Sequence, residues 1–161
     1  MKKLFILLIL VTACSSADNG AYVKSKTVNN QLTANLKAPW VAVEDEGSDL
    51  ALNNKNTKSF FLFNSACRKN EMSNLSVLTN SMLAGINNVD YIERKQIQFQ
   101  DRDASVVIAK GSIDGIERFF RILTTQKNNC IYDFALIATS MKNLQKDSED
   151  FDKFSQLLKL N

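Results

Sequence analysis

The spacing of apolar and polar residues along the chain predicts a sheet of short β-strands. Stretches that alternate between apolar and polar residues, or that are briefly apolar throughout, are typical of strands when turn residues bound them. The predicted strands are residues 22–28, 31–37, 49–52, 59–64, 89–99, 104–110, 116–125 and 131–139. Residues 59–64 read Ser-Phe-Phe-Leu-Phe-Asn and are apolar on both faces, which predicts a central strand covered on both sides.

Two further stretches have the three-to-four-residue spacing of an amphipathic helix. The apolar stripe of the first is Leu75, Leu78, Met82 and Ile86. Ser73 is its predicted N-cap, and Gly85 or Asn87 its predicted end. The stripe of the second is Phe151, Phe154, Leu157 and Leu158. Its predicted cap is Asp147-Ser148, so that the neighbouring acidic residues lie in the first turn.

Short turns connect most of the predicted strands. They lie at Asn29-Asn30, 101–103, Asp114-Gly115 and 126–129. Asp-Gly is a typical two-residue hairpin turn, and such tight turns join antiparallel neighbours. Because the two helices must bury their apolar stripes on this sheet, the pattern predicts an α+β fold, an antiparallel sheet packed by two helices.

The first thirteen residues have the three parts of a secretory signal. Lys2 and Lys3 precede an apolar run at residues 4–11, and small residues follow. Val11-Thr12-Ala13-Cys14 resembles the lipobox of bacterial lipoproteins, which implies cleavage before Cys14 and a thioether-linked diacylglycerol on its sulfur. We therefore expect a signal peptide at 1–13, a lipidated cysteine and flexible tether at 14–21, and a single domain at 22–161.

Lipidation would fix where the protein works. Two acyl chains hold a protein stably on a membrane without a basic patch. Ser15 follows the cysteine where many inner-membrane lipoproteins of enterobacteria have Asp, which favours the periplasmic face of the outer membrane. The alternative is an ordinary secreted protein, in which Cys14 is lost with the leader or left as a spare thiol.

Charge and residue types exclude several classes of function. Without Lys2 and Lys3, 18 basic residues face 17 acidic ones, so a nucleic-acid partner is not expected, and Arg94-Lys95 is interpreted as an isolated surface pair. The chain has no histidine, which removes the most common catalytic base and metal ligand. A carboxylate pair of the glycosidase kind remains open, but most of the acidic residues are expected in turns and helix starts, where exposure to solvent would leave their pKa values ordinary. We expect neither an enzyme nor a metal or cofactor.

Cys67 and Cys130 remain once Cys14 is acylated. In an exported chain an even pair of cysteines is most simply a structural disulfide. Two free core thiols or a redox pair are the alternatives, although a redox pair usually has the Cys-x-x-Cys spacing that is absent here.

Two other conspicuous motifs have ordinary interpretations. Glu44-Asp45-Glu46 lacks the spacing of a calcium loop and is predicted to be a solvated turn. Trp40, directly after Pro39, is predicted to cover one edge of the core rather than to bind a ligand.

With these residues in view, the chain from about residue 22 to 160 resembles the Mog1/PsbP-like superfamily, which includes DcrB-type envelope proteins. The resemblance lies in Pro39-Trp40, the Asp114-Gly115 hairpin and the Phe151/Phe154 helix. Small bacterial lipoproteins of this fold also place one cysteine before the first helix and another in a Cys-x-Tyr-Asp strand, as Cys67-Arg68 and Cys130-Ile131-Tyr132-Asp133-Phe134 do here. Lys110-Gly111-Ser112 departs from the pattern, and its glycine suggests a bulge.

The resemblance implies an α/β/α sandwich that acts through binding or assembly and carries no agreed catalytic residues. The resulting hypothesis is a membrane-anchored interaction module that docks on a protein complex of the cell envelope. The alternative is a carrier that binds a small apolar ligand, such as a lipid, in a cleft between sheet and helix.

Overall fold

The computed structural model describes residues 36–67 and 74–160, which form one seven-stranded antiparallel sheet and two helices. The strands are β1 (Trp40–Val43), β2 (Leu50–Asn54), β3 (Phe60–Cys67), β4 (Asn87–Phe99), β5 (Arg102–Ile113), β6 (Ile116–Lys127) and β7 (Cys130–Ala138). The helices are α1 (Leu75–Ser81) and α2 (Met141–Leu157). The predicted α+β class is therefore confirmed.

Several predictions fall outside the described residues. They are the signal peptide, the lipidated Cys14 and its tether, the hairpin around Asn29-Asn30, most of the strand at 31–37 and the cap at Ser73. The division of the chain at residues 13 and 21 stays a prediction.

The strand order across the sheet is β1-β2-β3-β7-β6-β5-β4, and every neighbouring pair is antiparallel. β3 lies between β2 and β7, as its doubly apolar sequence predicts. Phe61 and Phe63 are fully buried on one face, and Leu62 packs into the core on the other. Phe60 is exposed because it starts the strand at the rim of the sheet.

Three hairpins join the last four strands through two-residue turns. The central residues are Gln100-Asp101, Asp114-Gly115 and Asn128-Asn129, and all six have a positive φ. This is the conformation of the turn type that matches strand twist. The Asp114-Gly115 turn is as predicted. The other two are tighter than predicted, because the strands continue to Arg102 and Lys127.

One face of the sheet, the α2 face, carries the larger core. Aromatic residues of β3 and β7 meet Phe151 of α2 there, with the rings of Phe61 and Phe151 5.8 Å apart in an edge-to-face arrangement. Trp40 is buried against Phe154 at 5.3 Å, and its indole N–H donates to an Asp150 carboxylate oxygen at 2.8 Å. The tryptophan therefore covers an edge of the core and has its polar atom satisfied, as its predicted packing role requires.

The N-cap of helix α2 lies seven residues before the predicted cap Asp147. This N-cap is Ser140, whose hydroxyl accepts from the Asn143 N–H at 3.2 Å. The predicted cap Asp147 lies inside the helix and is 2% exposed, so that prediction is wrong. Leu157 was predicted on the apolar face but is 54% exposed. In the first helical turns Leu144 is the only fully buried apolar residue, and Met141 packs partly against the core. This part of the helix therefore has too few apolar residues to show a helical stripe in the sequence.

The opposite face, the α1 face, has a smaller core around Val107, Phe120 and Ile122. Helix α1 is shorter than predicted: its cap is Asn74, and its C-cap is Met82, so Ile86 lies beyond it. A Cβ on Gly111 would lie 2.5 Å from an Ile86 methyl group, which explains the glycine. The bulge expected near Gly111 lies across from it, in β4 between Asn87 and Asp90.

Candidate functional site

A disulfide joins Cys67 at the end of β3 to Cys130 at the start of β7. The two residues are directly opposite in the antiparallel ladder, with their Cα atoms 3.9 Å apart and an S–S distance of 2.03 Å. Cys130 also packs against the core of the α2 face. The predicted bridge is therefore confirmed, and it joins two interior strands at the end of the sheet where both cysteines lie.

Two carboxylates, Asp147 and Asp133, are exceptions to the expectation that most acidic residues lie in exposed turns and helix starts. Asp147 projects from α2 toward the β2–β3 turn, where the Thr57 hydroxyl donates to it at 2.6 Å and the Asn54 amide at 3.1 Å. The Asn54 side-chain oxygen accepts from the Asn56 and Thr57 N–H groups. This network connects the β2–β3 turn to α2, and Asp147 serves in it as a hydrogen-bond acceptor with a structural role.

Asp133 is the second such carboxylate. It lies in β7 on the α1 face, between Asn64 of β3 and Thr124 of β6. Burial raises its pKa to about 6, although the Thr124 hydroxyl, which donates at 2.7 Å, acts in the opposite direction. Asp133 lies on the α1 face of the sheet and Asp147 projects from α2 on the other side, so these two carboxylates do not form a pair with each other.

The acidic turn after β1 is exposed at Glu44, Asp45 and Glu46. The nearby Asp49 accepts from the N–H and the hydroxyl of Ser65, at 2.7 and 2.6 Å, which holds the loop against β3. Among residues 36–67 and 74–160, no group of three or more acidic, cysteine or histidine side chains is arranged to hold a metal ion.

The surface that the sequence did not predict lies between α1 and the edge strand β4. A cleft of about 240 Å³ opens there. Its lining residues are Ser76, Asn80, Arg94, Lys95, Gln96, Ser105 and Val107. These residues form the β4–α1 surface together with the exposed Val77, which follows Ser76, and the exposed Tyr91, on whose ring Arg94 stacks. Within the described residues β4 pairs only with β5, so this surface borders an open edge of the sheet.

A bulge in β4 brings Tyr91 and Arg94 onto the same face. In a regular strand, residues three apart point to opposite faces. Here Tyr91 pairs with Ala109 and Arg94 with Val107, because the register shifts by one residue between Tyr91 and Glu93. The Arg94 guanidinium carbon lies 3.4 Å from the centroid of the Tyr91 ring. This stacking holds an arginine in place beside the cleft.

The other polar groups of the cleft are hydroxyls, amides and one paired lysine. The Gln96 amide donates to the Ser76 hydroxyl at 3.2 Å and so links β4 to α1. Lys95 is paired with Glu93 at 2.8 Å. None of the residues that line the cleft is acidic. The cleft can therefore offer hydrogen-bond donors and a positive charge to a ligand.

Comparisons with known proteins identify the architecture. No protein-family model matches the chain, and neither does any curated protein. The solution structure of cyanobacterial PsbP (CyanoP) from Synechocystis sp. PCC 6803 superposes with a TM-score of 0.54 at 10% identity, over 73% of this chain and 79% of that one. The fold is PsbP-like. The PsbP-like architecture is shared by PA94 of Pseudomonas aeruginosa, a protein of unknown function, with a TM-score of 0.56 at 9% identity, over 76% of this chain and 81% of that one.

At such low identities the likeness establishes the PsbP-like fold alone, so function has to be argued from this chain's own residues. Neither helix of the described residues has the length and apolar character needed to cross a bilayer.

Proposed function

We propose that the chain is a non-catalytic accessory protein of the bacterial cell envelope, anchored by a lipid on Cys14, which binds a protein partner through the β4–α1 surface. The observation that carries this proposal is the exposure of apolar groups beside β4, which is an edge strand of the sheet within residues 36–67 and 74–160. Val77 is 62% and Tyr91 37% exposed, whereas the core on each face of the sheet is closed by a helix. Exposed apolar groups beside an unpaired strand favour contact with another protein.

The resemblance to the Mog1/PsbP-like superfamily supports the same class of function, since its members act mainly through binding or assembly. The buried carboxylates also favour it, because their partners are structural hydroxyl and amide groups. The signal-like residues 1–13 and the lipobox at Cys14 support a location at the envelope.

A carrier of a small apolar ligand has less support. The β4–α1 cleft is lined mainly by polar side chains. A second cleft, between β1 and β2, is lined by the acidic turn at 44–46, Ser48 and Asp49, together with the apolar Val43, Leu50 and Ala51. Apolar ligands favour pockets with mainly apolar walls. Neither of these clefts of the described residues has that character.

The anchor is tested by Cys14→Ser. We expect the variant to keep residues 1–13 and to carry no lipid, because the modification needs the cysteine sulfur. The protein would be expressed in bacteria with a clickable fatty acid, fractionated and weighed by mass spectrometry. Ser15→Ala is the matched control and should be lipidated normally. A Cys14→Ser protein that is still labelled and still in the membrane fraction would reject the anchor.

The docking surface is tested by photo-cross-linking in cells that express the protein naturally. A photoreactive phenylalanine analogue at Val77 or at Tyr91 should give the same adduct with an envelope protein, identified by mass spectrometry. The control position is Gln145, exposed on α2. Adducts that are absent at both test positions, or equally strong at Gln145, would contradict the proposed surface.

A further inference from the structure

Among residues 36–67 and 74–160, two arginines stack on an aromatic ring, and only one of them also binds a carboxylate. The Arg121 guanidinium carbon lies 4.8 Å from the Phe151 ring, and its two terminal nitrogens donate to the Asp152 carboxylate at 2.8 and 3.3 Å. Arg94 stacks on Tyr91 at 3.4 Å, but no carboxylate of the described residues binds it. Arg94 therefore has an aromatic stacking partner, as Arg121 does, but it lacks the carboxylate partner that Asp152 provides for Arg121.

The side chains around Arg94 could bind a carboxylate of another molecule. The Ser76 hydroxyl oxygen already accepts from Gln96, so its own proton is available to donate into the cleft. The Asn80 amide and the Ser105 hydroxyl add further donors. Lys95 is neutralised by Glu93, which leaves the fork of Arg94 as the charged donor. A planar guanidinium fixed by stacking suits a carboxylate, which it can bind through two parallel hydrogen bonds.

We propose that the β4–α1 cleft binds a carboxylate of the protein partner, presented by an acidic peptide segment, with Arg94 as its main donor. This rests on the function proposed above and specifies the chemistry of that surface. A peptide is the favoured source because the exposed Val77 and Tyr91 offer apolar contact beside the charged group. A free anion would use only the polar part of this surface.

The probe is a fluorescein-labelled peptide, Ala-Glu-Phe-Asp-Leu-Glu-Ala, compared with its amide counterpart, Ala-Gln-Phe-Asn-Leu-Gln-Ala. Binding to the full lipidated protein in detergent would be followed by fluorescence anisotropy at low salt. We expect the acidic peptide to bind about tenfold more tightly than the amide peptide, as a charge-assisted bidentate contact implies. Arg94→Gln should remove this preference, and Arg94→Lys should keep only part of it, since lysine lacks the fork.

Arg118→Gln is the matched control, because Arg118 is a β6 arginine that donates only to the carbonyl of its neighbour Glu117. It should keep the preference. Equal binding of the two peptides to wild type, or an unchanged preference in Arg94→Gln, would overturn the proposal. A third outcome would also overturn it: inorganic phosphate binds saturably, Arg94→Gln abolishes this binding, and the acidic peptide does not bind. The site would then serve a free anion. Adducts at Val77 and Tyr91 without acidic preference would reject only the carboxylate site and leave the docking surface intact.

Discussion

The Cys67→Ala/Cys130→Ala double variant is expected to have a free energy of unfolding about 4 kcal/mol lower than that of the wild type. The bridge closes a loop with a sequence separation of 63 residues, and opening it frees the unfolded chain. Urea unfolding followed by circular dichroism, on protein purified from an oxidising compartment, measures the difference. A loss of this size is a large part of the stability of an ordinary domain.

A reductant supplies the control for the disulfide. Wild type in excess dithiothreitol should unfold at the same urea concentration as the double variant without it. The double variant itself should not respond to the reductant. If oxidised and reduced wild type unfold together, the bridge contributes nothing to stability and its role would have to be sought elsewhere.

Six of the seven strands of the described residues could be predicted from the sequence because their signals are local, whereas β1 (Trp40–Val43), directly after Pro39, was not predicted. Residues 104–110 of β5 are an almost unbroken run of small and β-branched residues, and Asp114-Gly115 after them adopts the two positive φ values that the turn requires. The position of β3 in the interior of the sheet could be predicted for the same reason, because its consecutive apolar residues indicate that both of its faces are buried.

The start of α2 could not be found in this way. Asp147 resembles an N-cap in sequence, and its partners Asn54 and Thr57 lie 93 and 90 residues earlier in the chain. A buried carboxylate is tolerated only because the fold brings those donors to it. The tertiary contact therefore overrides the local preference of aspartate for a helix start.

The β4–α1 surface was missed for a related reason. Arg94-Lys95 has the sequence of a solvated pair, and Tyr91 and Arg94 point to opposite faces in any regular strand. Only the bulge, which depends on how β4 pairs with β5, turns both toward α1. Ser76 and Ser105 come from two other elements, so no spacing along the chain brings the site together.

The pH dependence of stability should reveal Asp133. Its pKa is raised from an ordinary 3.8 to about 6 in the folded protein, mainly by burial, so the folded state holds this proton more tightly than the unfolded chain. The contribution of Asp133 to the free energy of unfolding is therefore most favourable below pH 4 and decreases as the pH rises to about 6. Above that pH the destabilisation by the buried charge is constant. The shift of about two pKa units corresponds to about 3 kcal/mol.

Asp133→Asn isolates that contribution, because the asparagine amide cannot ionise and its oxygen can still accept from the Thr124 hydroxyl. We expect the variant to be more stable than wild type at pH 7.5, by up to about 3 kcal/mol, and to lose the advantage at pH 4. Urea unfolding from pH 4 to 8 measures both curves. Asp114→Asn, in an exposed turn, is the control and should run parallel to wild type. If the difference between Asp133→Asn and wild type does not change with pH, Asp133 does not titrate in this range and its burial is compensated by other contacts.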